Sequence, residues 1–171
     1  MSSKKIVPSF DKPLNRLEIT NIGLVTAIYI TVSLVLAVIS FGVIQFRIAE
    51  MLNYLSLYQK KYIWSITLGV MVTNIFSPLG LIDVVVGGLS TFLVLSFNLW
   101  LTKKIKSMKL KMMVTALVFS LSMFTVAGQL TVMFAAPFWL NWLIIGLGEL
   151  LSMGIGGIIM YNISKKIDLT K

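Results

Sequence analysis

Apolar runs alternate with short polar or basic breaks along almost the whole chain. A helix rises ~1.5 Å per residue and a bilayer core is ~30 Å thick, so ~20 apolar residues cross it. The runs predict six membrane helices, at about 20–40, 46–58, 62–76, 81–102, 112–134 and 138–163. A polar segment broken by Pro8 and Pro13 precedes the first helix, which Thr20 or Asn21 is placed to cap. The second runs from Phe46 to Tyr58 and ends at Lys60-Lys61. It reaches only about 20 Å, so it must tilt little, thin the bilayer or be shielded by its neighbours. Ser77-Pro78-Leu79-Gly80 reads as a turn, Lys103 to Lys111 as a basic loop, and Ala135-Ala136-Pro137 as the break before the last helix.

Composition agrees with that pattern. The chain is 57% hydrophobic and 12% charged, with a mean hydropathy of +0.93. A soluble domain is nearer half apolar and a quarter charged. The net charge of +9 comes from lysines and arginines lying between apolar runs, so it reports orientation in a membrane and not nucleic-acid binding. With the N-terminus inside, the inner segments hold four, two, five and three Lys/Arg, 14 of the 15, and the outer ones hold only Arg47. The positive-inside rule therefore predicts an all-α integral membrane protein: a compact bundle of six transmembrane helices, both termini cytoplasmic, with a short second helix. Residues 1–18 form a cytoplasmic arm, 19–164 the membrane domain and 165–171 a tail. The first apolar run lacks a small-residue cleavage site and reads as a retained span. There is no Cys and no His, which removes thiol nucleophiles, disulfides, imidazole catalysis and the usual haem or zinc ligands.

Of six acidic residues, Asp11, Glu18 and Asp168 fall in the terminal segments, while Glu50, Asp83 and Glu149 fall at or inside the membrane. A charge at mid-bilayer costs roughly 2.5–3.5 kcal/mol on insertion scales, so each is a functional candidate. Their depths agree. Arg47 and Glu50 open the second span at its outer end, and Asp83 opens the fourth. Asn74 and Ser77 close the third, and Phe138, Trp139 and Asn141 open the sixth. Gln129 lies about one turn below the outer surface, and Glu149 about 16 Å below Phe138. Structural readings compete: an interfacial pair for Arg47 and Glu50, a helix-dipole partner for Asp83, interhelical glue for Asn74 and Asn141, and an aromatic belt for Phe138, Trp139 and Trp142. Glu149, deep in an apolar helix, needs a cavity, a partner such as Arg47, or a proton. Together the set suits a polar heterocycle: carboxylates and amides accept from amines and ring N–H groups, Arg47 and Gln45 meet carbonyls, and Phe46, Phe138 or Trp139 stack on a flat ring. Gly23, Ala27 and Thr31, spaced by four, make a smooth stripe for a close-packed helix, either a partner's or the protein's own. Gly154, Gly156 and Gly157 suggest tight packing of the last helix.

Three blocks carry a resemblance across residues 20–163: Ile39 to Glu50 with its Phe-Gly-x-Ile-Gln-Phe-Arg-Ile-x-Glu core; Asn74-x-x-Ser77-Pro78-x-Gly80-x-x-Asp83-x-x-x-Gly87; and Pro137-Phe138-Trp139-Leu140-Asn141 leading to Gly148-Glu149. The chain resembles the membrane-embedded substrate-binding (S) components of energy-coupling factor (ECF) transporters, and is most similar to the QueT-type branch. It departs from that pattern at Val43, where proline is expected, and at Ala49, where serine or a similar residue is expected. The resemblance implies a bacterial plasma-membrane protein that captures an extracellular micronutrient, foremost a queuosine precursor of 7-deazaguanine type. The substrate contacts expected from the residues themselves are Gln45, Arg47, Glu50, Asn74, Asp83, Trp139, Asn141 and Glu149. Partners would be an EcfT-type transmembrane coupling subunit, met by Gly23, Ala27 and Thr31, and two EcfA-type ATPases that use ATP and Mg. The chain itself would bind no cofactor or metal and would not be an enzyme; it has no GxxxxGK[ST] phosphate loop. Competing readings are an S component for cobalamin or another vitamin, a proton-coupled secondary transporter using Glu149 and Asp83 as relays, and last a membrane enzyme or assembly subunit.

Overall fold

The structure, a computed structural model, describes residues 15–36 and 47–170. Within them every regular element is helical: α1 (Arg16–Val35), a 3₁₀ helix (Ile48–Leu57), α2 (Tyr62–Asn74), α3 (Leu81–Thr102), α4 (Met108–Ser122), α5 (Phe124–Phe134) and α6 (Phe138–Ser164). Four stretches are long and apolar enough to cross a membrane: α1, α3, the joined run Met108–Phe134, and α6. Ile39 to Phe46, including Gln45, lie outside the described residues.

The helix starts follow local capping chemistry. Asn15 caps α1 in a reciprocal box: its Oδ1 accepts from the Glu18 N–H at 2.8 Å, and Glu18 Oε2 accepts from the Asn15 N–H at 2.9 Å. This corrects the expected cap at Thr20 or Asn21, which lie inside α1, because the orphan amides are satisfied one turn earlier. Ser107 caps α4, so residues 108–111 are helical and not part of a loop. The fifth helix is not continuous. It breaks at Met123, where ψ relaxes to −6°, and Ser122 Oγ and Thr125 Oγ1 donate back to the Phe119 and Ser122 carbonyls. Gly80, with φ of +59°, turns the chain into α3.

The short second helix resolves its length problem by shielding. As a 3₁₀ helix it rises ~2 Å per residue, so its ten residues reach about 20 Å. Seven of the ten are buried, and it packs against α6, α1 and α2 and not outward. Gly156 makes that seat possible, since a Cβ there would stand 3.0 Å from the Met51 Cα. Gly157 lies against the Tyr54 ring in the same way, whereas Gly154 faces open space.

The distribution of polarity is inverted relative to a soluble protein. Leu89, Leu93, Phe97 and Trp100 on α3, and Leu143, Leu147, Leu151 and Ile155 on α6, are exposed. Asn53, Asn98, Thr102, Thr115 and Ser152 are buried. Asn98 Nδ2 donates to Thr115 Oγ1 at 2.9 Å and ties α3 to α4. Polar groups turned inward and large apolar side chains turned outward are what a lipid solvent selects.

Candidate functional site

A cavity of about 390 Å³ opens between the start of the 3₁₀ helix, the end of α2, the first half of α3, the α4–α5 junction and α6. Six of the eight residues expected at a substrate site line it: Arg47, Glu50, Asn74, Asp83, Asn141 and Glu149. Trp139 does not. It is 72% exposed and packs edge-on against Phe138 and tilted against Trp142, whose Nε1 donates to the Leu121 carbonyl at 3.0 Å. The aromatic rings of the cavity are instead Phe119 and Phe134.

The charged pair at the floor is held from several directions. Arg47 Nη1 lies 3.5 Å from Glu50 Oε1 across one turn, and both side chains are largely buried. Tyr29 of α1 donates its hydroxyl to Glu50 Oε1 at 2.7 Å, and Asn53 Nδ2 donates to Oε2 at 2.5 Å. Ser152 Oγ on α6 bonds the Arg47 carbonyl, fixing the entry to the 3₁₀ helix. A buried carboxylate with an ion pair and two donors has its desolvation largely offset.

Asp83 sits at the opposite wall. Its carbonyl accepts from Asn74 Nδ2 at 2.9 Å, and its Oδ1 accepts from Gln129 Nε2 at 3.4 Å. Gly87, one turn along α3, leaves room for this arrangement, because a Cβ there would run into Asn74 Nδ2. Three buried acceptors in and around the cavity have no hydrogen-bond partner: Asn74 Oδ1, Gln129 Oε1 and Glu149 Oε1. Glu149 is 3% exposed. Among the described residues, no three acidic side chains converge as a metal-ligand group.

Several contributors escaped the sequence reading. Tyr29 lies in an apolar helix and drew no notice. Ser90, Thr91, Ser122 and Thr125 were too small to draw notice, yet all line the cavity. The break at Met123 carries neither proline nor glycine, so only the adjacent Ser122 and Thr125 signalled it. The stripe Gly23, Ala27 and Thr31 is exposed, on the side of α1 away from Tyr29 and Ser33. Among the described residues, it therefore does not pack on the protein's own helices. A second hollow, of about 570 Å³ between α4 and α6, is lined mostly by Met, Leu, Ala and Gly and lacks convergent polar groups.

A model of the QueT transporter family matches residues 19–166. The chain is 38% identical over 163 residues to the queuosine precursor transporter QueT of Lactococcus lactis subsp. cremoris (strain MG1363), covering 90% of this chain and 96% of that protein. No solved structure matches. A family match over most of its length, together with this relative, establishes that the chain belongs to the QueT transporter family.

Proposed function

We propose that the chain is the substrate-binding S component of an ECF-type transporter, and that it captures a queuosine precursor of 7-deazaguanine type for ATP-driven uptake. The observation that carries this reading is the single cavity on which Arg47, Glu50, Asn74, Asp83, Asn141 and Glu149 converge in a member of this family. A bicyclic base presents ring N–H, amine and carbonyl groups, which those side chains complement. About 390 Å³ suits such a ring better than a corrinoid macrocycle.

Charge bias supports six spans with both ends cytoplasmic, the 3₁₀ helix and α2 serving as the two shorter crossings, in a bacterial plasma membrane. Residues 1–18 and 165–171 are then cytoplasmic flanks of the membrane domain. The exposed face of Gly23, Ala27 and Thr31 suits an EcfT-type coupling subunit, which works with two EcfA-type ATPases that consume ATP and Mg. Toppling of the whole S component within the bilayer would carry the loaded site inward.

Titration calorimetry on the detergent-purified chain tests the proposal. One 7-deazaguanine compound should bind per chain, and no ATPase activity should accompany it. The buried Glu149, one of whose carboxylate oxygens has no hydrogen-bond partner, also favours a second reading, a proton-coupled carrier. Transport by this chain alone in liposomes under a pH gradient would establish the carrier and overturn the S component.

A further inference from the structure

We infer that the cavity selects its ligand by positive charge: Glu149 receives a protonated amine borne by the heterocycle, so an aminoalkyl 7-deazapurine binds in preference to its neutral analogues. This deepens the functional reading above and rests on it.

The charges lining the cavity do not balance. Its one described cation is Arg47, against the carboxylates of Glu50, Asp83 and Glu149. Arg47 is paired with Glu50, and Tyr29 and Asn53 also donate to that carboxylate. Asp83 receives only an amide N–H, from Gln129. Glu149 is buried, lines the cavity, and has a carboxylate oxygen with no hydrogen-bond partner. The formal surplus is two negative charges, in a place where an uncompensated carboxylate is costly.

The neutral groups point the same way. Asn74 and Gln129 each commit their amide nitrogen to Asp83, and this orients their oxygens away from it. Those oxygens are the ones left without partners. Among the described residues that line the cavity, the orphaned polar atoms are Asn74 Oδ1 and Glu149 Oε1, both oxygens able to accept. A ligand that fills it must bring donors, and one that balances it must bring a cation. Where a buried group is built to meet one substrate group, an analogue lacking that group is rejected strongly.

The experiment compares two compounds of one skeleton, 7-aminomethyl-7-deazaguanine (cationic) and 7-cyano-7-deazaguanine (neutral), by calorimetry on the full chain. Wild type should bind the amine at least tenfold more tightly. In Glu149→Gln the ratio should fall below threefold, mainly through weaker amine binding. Asp83→Asn should keep most of the preference. Equal affinities in wild type would overturn the charge inference and leave the queuosine-precursor reading standing. A ratio unchanged in Glu149→Gln but lost in Asp83→Asn would overturn the assignment to Glu149. Binding of neither compound would take down both readings. The wild-type comparison decides the central point even where a variant folds poorly.

Discussion

Replacing Arg47 by alanine tests whether the ion pair at the cavity floor supports the fold as well as the site. Arg47 and Glu50 are 3.5 Å apart and largely buried, so the change strands a carboxylate in a medium of low polarity. Removing one partner of a buried pair costs ~3–5 kcal/mol. Glu50 keeps the Tyr29 hydroxyl at 2.7 Å and the Asn53 amide at 2.5 Å, which places the cost near the lower end, ~3 kcal/mol. For a chain of this size, ~2–4 °C of melting temperature accompanies each kcal/mol, so Arg47→Ala should melt ~6–12 °C lower. The double variant Arg47→Ala/Glu50→Gln removes both charges and leaves a neutral acceptor for Tyr29, so it should regain part of the loss. Thermal unfolding in one detergent, followed by tryptophan fluorescence, reads all the variants. A single variant within ~2 °C of wild type, or a double variant no more stable than the single, would refute the reasoning. Ligand affinity measured on Arg47→Ala alone mixes damage to the site with damage to the fold, and the double variant separates them.

Three further outcomes are expected. Tyr29→Phe deletes a buried hydrogen bond to a charged group and should cost ~1.5–3 kcal/mol of stability, seen as a lower melting temperature with unchanged secondary structure. Gly87→Ala drives a methyl group into Asn74 Nδ2 and dislodges it from the Asp83 carbonyl, so calorimetry should show weaker ligand binding, with the melting point nearly held. Ala27→Leu fills an exposed position on α1 and should leave ligand affinity unchanged while abolishing co-purification with the coupling subunit. Normal co-purification would remove α1 from the interface.

What the sequence disclosed depended on contrast. Leu81–Thr102 was legible to the residue because Gly80 and Lys103 bracket an unbroken apolar run. That Arg47, Glu50, Asn74, Asp83 and Glu149 would gather was legible too, since helical rise brings them to one level, and all five line one cavity. Rotation about the helix axis is a different matter. It can be read only where one face is more polar than another, and α6 offers little of that. Its buried Ile145 and Met153 are as apolar as its exposed Leu143 and Leu147. Trp139 therefore lies two residues from Asn141, which lines the cavity, and yet does not line it. The same uniformity hid the 3₁₀ winding of residues 48–57, where the tighter helix is held by packing against three neighbours and not by propensity. It hid the interruption at Met123, whose hydrogen bonds are completed by two small hydroxyls. In a lipid solvent the hydrophobic pattern locates helices but barely orients them, so the few polar side chains must do so. Tyr29, Asn74 and Gln129 each span from one helix to another element, Tyr29 to Glu50 on one side of the cavity and the two amides to Asp83 on the other.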